Sequence, residues 1–280
     1  MAKIQRLRYW QPAPEAAPEL VCAEFDAGDG PLHVHEEWQF GVSDAPSKLS
    51  LGAFRRYGVE PGDVTVVAPY GVHSECGPHG EPRLCRLLYV TPAMVNRLFG
   101  GGNPPRFQPP SVADPAAAAE LSELLSESAD GTVGEAEFLG RVERWLARLL
   151  VQHAETQSPP RQLPAVQRAR AYLQDRPTET AALSEIGEVA GITLSHLVRS
   201  FSRAVGLPPR SYHSQVRLAR ARRLLAEGKP ATWVAYECDF ADQSHLNRRF
   251  KQSYGVTPGA FQAQYLARRN ANAATGSTAA

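Results

Sequence analysis

Apolar and polar positions alternate as in β-strands over the first third of the chain and follow helical spacing after it. Asp114 and Pro115 provide the N-cap and first position of a helix, and a second amphipathic helix is expected at about 133–155. Short strands separated by Gly and Pro turns favour a small sandwich or barrel, here with a helical extension. The five predicted strands are 20–25, 32–40, 49–57, 64–68 and 84–90.

One pattern of anchor residues occurs twice in the second half of the chain. The first copy has Leu197, Phe201 and Gly206, and each recurs as the same residue type 49 positions later. Each copy predicts a short helix, a turn and a second helix, which together form a helix-turn-helix unit. The predicted helices of the first copy and of its connection to the second copy are 183–190, 194–204 and 211–226.

The second helix of each copy carries polar side chains opposite its apolar anchors. Asp242 is the expected N-cap of this helix in the second copy. Amides and guanidiniums on such a face can read base edges in a major groove, whereas other Lys and Arg side chains can contact phosphates. Ordinary solvation is the alternative for each residue. The candidate DNA-binding residues are Ser195, Val198, Arg199, Arg203, Arg217, Gln243, Ser244, Asn247, Arg248 and Lys251.

The run 242–246 (DQSHL), followed by Phe250, Gly255 and Pro258, resembles the signature of AraC/XylS transcription regulators. The whole of 165–267 resembles the DNA-binding domain of that family. The resemblance implies sequence-specific binding to a promoter, a small-molecule effector, a homodimer and contact with RNA polymerase.

Two positions depart from the family pattern. Asp239 stands in the turn of the second unit, where the family usually has Gly, and Asp tolerates a left-handed backbone better than most residues. Gly187 stands where the family prefers Ala, which costs about 1 kcal/mol of helix propensity. We therefore expect a left-handed turn at the first position and a looser first helix at the second.

Histidine and glutamine in the first half follow two spaced motifs, HxHxxxQ at 33–39 and GxxxxxxPxGxH at 62–73. These motifs resemble those of a cupin, the β-barrel that forms the ligand domain of AraC-type regulators. The resemblance implies an inward-facing pocket for a metabolite. The candidate effector-binding residues are His33, His35, Gln39, Tyr70 and His73.

The histidines leave other interpretations open. His33, His35 and His73 could hold a metal, which would make the first half a metal-dependent cupin enzyme or a metal sensor, or they could be structural. Metal-binding cupins have Glu where Gln39 stands. A constitutive DNA-binding protein with a vestigial barrel is a third interpretation. No nucleophile, base and oxyanion hole come together in the sequence, so we expect no enzyme activity and no cofactor.

The formal net charge of +1 conceals a division of charge. Residues 161–280 contain 17 Lys and Arg against 8 Asp and Glu, whereas residues 1–160 contain 13 against 21. A basic half indicates a polyanionic partner. The four cysteines form no CxxC pair, and no apolar run reaches about 18 residues, which favours a cytoplasmic protein outside the membrane.

These patterns predict a two-domain α+β protein. The two helices after the barrel either pair with a second subunit or pack only on their own barrel. The expected parts are a cupin-like effector-binding barrel at 1–112, a helical dimerisation segment at 113–156, a linker at 157–164, the DNA-binding domain at 165–268 and a disordered tail at 269–280.

Overall fold

The computed structural model describes residues 7–11, 20–26, 30–76, 83–101, 103–155, 163–178 and 182–264. The predicted tail at 269–280, and all but the last two residues of the predicted linker, lie outside them.

The described part of the first half is built around antiparallel strands. The strands are β1 (Leu7–Trp10), β2 (Leu20–Asp26), β3 (Trp38–Ser43), β4 (Ser47–Leu51), β5 (Arg55–Val59), β6 (Asp63–Val67), β7 (His73–Cys76), β8 (Leu84–Val90) and β9 (Ser111–Ala113). They form a six-stranded sheet in the order β1-β2-β8-β3-β6-β9 and a three-stranded sheet in the order β5-β4-β7. The described strands therefore form two sheets, and the closed cupin barrel is not seen among them.

Two predicted strands differ from the structure. The stretch 49–57 is a hairpin of β4 and β5, because Gly52 between them has a φ of 65° and lets the chain reverse. The stretch 32–40 is a strand only in its last part, as β3. Adjacent strand residues point to opposite faces, but Glu36 and Glu37 both reach arginines of the second half, and this breaks the alternation.

Three helices pack on or beside the six-stranded sheet, namely α1 (Pro92–Phe99), α2 (Pro115–Asp130) and α3 (Glu135–His153). The sequence pattern did not predict α1, although Thr91 followed by Pro92 is a usable signal of a cap and first helical position. The other two helices were predicted, and Asp114 caps α2 by accepting a hydrogen bond from the Ala117 N–H.

The apolar stripes of α2 and α3 are buried within the subunit, against the sheet and against each other. Leu121 and Trp145 are fully buried in one core with Phe40 of the sheet. The Trp145 Nε1–H also donates to the Ala117 carbonyl at 2.9 Å, which joins the two helices. A dimer contact through these helices would thus use their outer faces, where Val151 is 84 % exposed.

The described part of the second half is helical, with the two copies of the repeat placed on either side of a long helix. The helices are α4 (Pro164–Asp175), α5 (Leu183–Ala190), α6 (Leu194–Val205), α7 (Pro209–Ala226), α8 (Ala231–Glu237) and α9 (Gln243–Tyr254). An 18-residue helix such as α7 is about 27 Å long, which sets the separation of the units that it connects.

Residues of the first half complete both cores of the second half. Val34 and Val72 are buried in the core of the first helix-turn-helix unit. Tyr9, Leu87 and Tyr89 are buried in the core of the second unit. The two halves are therefore packed together through apolar side chains on both sides of α7.

Candidate nucleic-acid interface and sensor site

The first helix-turn-helix unit consists of α5, a turn and α6. Gly191 ends α5 with a φ of 68°, and its N–H donates to the carbonyls of Gly187 and Glu188. Leu197 and Phe201 on α6 are fully buried, so this face holds the helix in the domain. Gly206 then ends α6 in the same left-handed conformation, with a φ of 93°.

The second unit repeats this construction with α8 and α9. Asp239 occupies the turn position that corresponds to Gly191 and has a φ of 54°, so the expected left-handed backbone is present. Asp242 caps α9 by accepting a hydrogen bond from the His245 N–H at 2.6 Å. Leu246 and Phe250 are fully buried, as their counterparts are in α6.

The polar faces of α6 and α9 point away from these cores. Val198 and Asn247 are half-buried at the edges of the two faces. The exposed candidates are Ser195, Arg199, Arg203, Gln243, Ser244, Arg248 and Lys251. The structure thus places the candidates of each helix together on one accessible surface, as an α-helix that enters a major groove requires.

Arg217 on α7 lies apart from this surface. Its Nη1 donates to the carbonyl oxygen of Asp239 at 2.8 Å and to the carboxylate at 3.0 Å. Its guanidinium also lies 5.6 Å from the centre of the Phe240 ring. These contacts give Arg217 a structural part in the turn of the second unit, which the sequence reasoning did not foresee.

Arg222 on α7 is buried, whereas the arginines of a helix that connects two DNA-reading units would be expected at the solvent or at a phosphate. Its side chain is only 3 % exposed, and its Nη1 lies 3.0 Å from both carboxylate oxygens of Glu37. The rings of Tyr89 and Tyr254 lie within 6.0 Å of its guanidinium. The buried charge is therefore paired with a carboxylate and covered by aromatic rings.

A second ion pair and a hydrogen bond extend this contact. The Nε of Arg223 lies 2.7 Å from Glu36 Oε2. The Tyr254 hydroxyl donates to the Val34 carbonyl at 3.1 Å. We call the two ion pairs, formed by Glu36, Glu37, Arg222 and Arg223, the interdomain clasp.

The three predicted histidines meet beside the clasp. The ring centres of His33 and His73 are 4.2 Å apart, and those of His35 and His73 are 4.8 Å apart. The Nδ1 atom of each ring lies 2.7 to 3.0 Å from a backbone carbonyl oxygen. The Nε2 atoms of His35 and His73 lie 3.2 and 3.3 Å from the Gln39 side-chain oxygen. These four residues form the histidine cluster.

Burial keeps this cluster neutral. It lowers the pKa of His33 to about 4, with the positive charge of Arg222 acting in the same direction. Burial also lowers the pKa of His35 and His73, and neighbouring histidines add to the effect. Beside them, burial raises the pKa of Glu75, which accepts a hydrogen bond from Gln39.

Tyr70, which was predicted together with the cluster, contacts it through its backbone. It lines a cavity between the sheets and the helical half, while its N–H donates to the His35 carbonyl at 2.8 Å. Within the ranges that the structure describes, no group of three or more His, Cys, Asp or Glu residues is arranged to hold a metal ion. None of the helices there is long and apolar enough to cross a membrane.

The paired recognition helices and the long helix between them define a helix-turn-helix regulator of transcription. A helix-turn-helix domain model matches residues 186–264. An uncharacterized HTH-type transcriptional regulator, YbfI of Bacillus subtilis, is 28 % identical over 223 residues, which cover 77 % of this chain and 81 % of that protein. The HTH-type transcriptional activator RhaS of Escherichia fergusonii is 32 % identical over 89 residues, or 31 % of this chain and 32 % of RhaS.

Solved structures share the fold over most of the chain. The apo K231A variant of ToxT from Vibrio cholerae superposes with a TM-score of 0.60 at 12 % identity, and the match covers 88 % of this chain and 97 % of ToxT. ToxT with a bound unsaturated fatty acid gives a TM-score of 0.55 at 13 % identity, with 90 % and 97 % covered. The chain thus resembles AraC-type transcription regulators, and its residues 186–264 contain a helix-turn-helix domain.

Proposed function

We propose that this regulator binds promoter DNA through α6 and α9 and that a small-molecule effector, sensed by the first half, controls the binding. The observation that supports it most is the interdomain clasp, because it ties the sensor sheets directly to the helix that connects both DNA-reading units. An effector can shift the equilibrium between a closed and an open arrangement of the two halves only if it binds these arrangements with different affinity. In this proposal the clasp is formed in a closed arrangement and would be broken in an open one.

Base reading is assigned to the accessible faces of α6 and α9. Ser195, Val198 and Arg199 would read one major-groove segment, and Gln243, Ser244, Asn247 and Arg248 the next. Arg203 and Lys251 would contact phosphates. Arg217 would contact a phosphate by breaking its hydrogen bonds to Asp239 when DNA binds.

Arg248→Ala tests this placement. The side chain is exposed on α9, and a guanidinium that reads guanine contributes about 1–3 kcal/mol. We expect the affinity for an operator selected from a random DNA pool to fall accordingly and one base position to lose its preference. Arg144→Ala, at an exposed site on α3, is the matched control. Unchanged operator affinity in Arg248→Ala would contradict the proposed orientation of α9.

Effector sensing is assigned to the first half, with the histidine cluster behind Tyr70. Effector binding would reach this cluster through the hydrogen bond from the Tyr70 N–H to the His35 carbonyl. The cluster consists of His33, His35, Gln39 and His73. Two solved structures with a similar fold are ToxT with a bound unsaturated fatty acid and ToxT with a bound naphthalenyl butenoic acid, which supports a small-molecule effector.

The remaining assignments extend the same proposal. The domain limits would be 1–112 for a cupin-like sensor, 113–156 for a dimerisation segment, 157–164 for a linker and 165–268 for the DNA-binding domain. The protein would act as a dimeric activator that contacts RNA polymerase, in the cytoplasm with the chromosome and without enzyme activity. Size-exclusion chromatography with light scattering tests the dimer.

A further inference from the structure

The β4–β5 hairpin of the first half touches the end of the first recognition helix. Gly52 lies in the turn of the hairpin, and Gly206 ends α6. A Cβ atom added to Gly206 would lie 2.3 Å from the Gly52 Cα and 2.7 Å from the Ala53 N. The two backbones are therefore in direct contact, with no room for a side chain between them, and this fixes the place of the hairpin beside α6.

This contact lies at one end of the DNA-reading face of α6. Ser195, Arg199 and Arg203 are spaced four residues apart, so they follow one side of the helix. Arg203 also lines a small cavity together with Phe54 and Arg55 of the hairpin. The tip of the hairpin thus continues the side of α6 that carries the candidate DNA contacts.

The tip is basic, although the first half as a whole is acidic. Arg55 and Arg56 are adjacent and exposed, and none of the carboxylates that the structure describes forms an ion pair with either of them. Phe54 beside them is 76 % exposed. Guanidiniums suit phosphates, and an aromatic ring can pack on a sugar, so the chemistry of this tip fits a nucleic-acid backbone.

The length of α6 brings its last turn to the DNA backbone. Its 12 residues span about 18 Å, whereas the major groove is about 12 Å wide. Because the first residues of a recognition helix read base edges, its last turn reaches the edge of the groove, where the phosphates lie. The hairpin tip beside Gly206 then faces these phosphates.

We propose that the tip of the β4–β5 hairpin is a further DNA-contacting element. Arg55 and Arg56 bind backbone phosphates next to the segment that α6 reads, and Phe54 packs against a deoxyribose. The first half therefore takes part in DNA binding directly. This inference rests on the proposed function, because it requires α6 to enter a major groove.

Arg55→Gln and Arg56→Gln test the proposal in the full chain, with an operator duplex selected from a random DNA pool. Each variant should bind about three- to tenfold more weakly at about 0.1 M salt, because one phosphate contact is lost. The slope of log affinity against log salt concentration should become smaller by about one for each arginine. Since phosphates carry no sequence information, binding to an unrelated duplex should weaken to the same extent.

Arg144→Gln is the matched control, because it removes an exposed arginine of α3 and changes the net charge equally. It should leave affinity and salt slope unchanged. Phe54→Ser should weaken operator binding without a change in the salt slope, because an apolar contact displaces no counterions. Unchanged binding by Phe54→Ser would overturn the contact assigned to the ring. The altered side chains are exposed, so Tm should stay close to that of the unmodified protein.

Affinity and salt slope equal to those of Arg144→Gln in both arginine variants would overturn the proposal. Tighter DNA binding by these variants would overturn it as well, since it would mean that the hairpin shields α6 from DNA. Arg248→Ala separates this test from the proposed function. Weaker binding by Arg248→Ala together with unchanged binding by the hairpin variants would remove only the hairpin contact and leave the proposed function intact.

Discussion

At Asp239 two local contributions to the free energy of unfolding oppose each other. A left-handed backbone costs a residue with a side chain about 1–2 kcal/mol, although Asp tolerates it better than most. The Asp239 carboxylate is half exposed and pairs with Arg217, and an ion pair of that kind contributes about 0–1 kcal/mol. The family's usual Gly removes the strain and the ion pair together.

We therefore expect Asp239→Gly to change the free energy of unfolding by less than about 1 kcal/mol. Asp239→Ala should be clearly less stable, because it loses the ion pair and keeps the strained backbone. Urea unfolding of the two variants beside the unmodified protein measures the difference. A Gly variant less stable than the Ala variant would contradict the backbone strain at this position. A Gly variant much less stable than the unmodified protein would show that the carboxylate matters more than the backbone conformation.

The buried histidine cluster makes stability depend on pH. The pKa of His33 falls from 6.5 in the unfolded chain to about 4 in the folded protein. The unfolded chain therefore takes up more protons as the pH falls below 6.5, and stability is lost between about pH 6.5 and 4. Glu75 has a raised pKa and titrates in the opposite sense, so the informative quantity is the difference between the protein and a variant.

His33→Asn supplies that difference, since an amide N–H can replace the hydrogen bond to the Pro31 carbonyl and cannot titrate. We expect the variant to lose about 1–2 kcal/mol less stability than the unmodified protein between pH 7 and pH 4.5, because His33 keeps part of its surface exposed. Chemical unfolding at several pH values measures it. Parallel pH curves for the two proteins would mean that His33 does not carry the dependence.

At the scale of the elements, the sequence predicts those features that depend on residues close together in the chain, such as the ends of helices. Helix α6 ends at Gly206 and α9 at Gly255 because a left-handed residue ends a helix, and the signal lies within one turn of the chain. The stripe on α3 also predicts its own burial. It does not say whether a sheet or a second subunit buries it, since either surface satisfies the same apolar pattern.

The clasp shows why other elements could not be predicted. Arg222 lies in a helix where arginines are normally exposed, and its partner Glu37 is 185 positions away. The alternation of residues 34–37 predicts a strand, in which Glu36 and Glu37 would point to opposite faces. In the structure both carboxylates pair with arginines of α7. Of the candidate effector site, the sequence predicted that His33, His35, Gln39 and His73 come together.

At the scale of the whole molecule, the clasp and the shared cores make the two halves one cooperative unit. Tyr9 and Tyr89 from the sheet lie in the same core as Phe261, and Arg222 is buried among them. Removing Arg222 would leave the Glu37 carboxylate without its partner in a poorly hydrated site. Loss of one partner of a buried pair costs about 3–5 kcal/mol.

Arg222→Gln should therefore lower the free energy of unfolding by about 3–5 kcal/mol and let the halves unfold separately. Tryptophan fluorescence reports mainly the first half, which contains the buried Trp10, Trp38 and Trp145. Far-UV circular dichroism is weighted toward the second half, which contains six of the nine described helices. The two urea transitions should coincide in the unmodified protein and separate in the variant. Arg223→Gln, which breaks the half-exposed pair with Glu36, should cost under about 1 kcal/mol and leave the transitions coincident. Coincident transitions in Arg222→Gln with a loss as small as that of Arg223→Gln would mean that apolar packing alone, and not the buried ion pair, couples the sensor to the DNA-binding half.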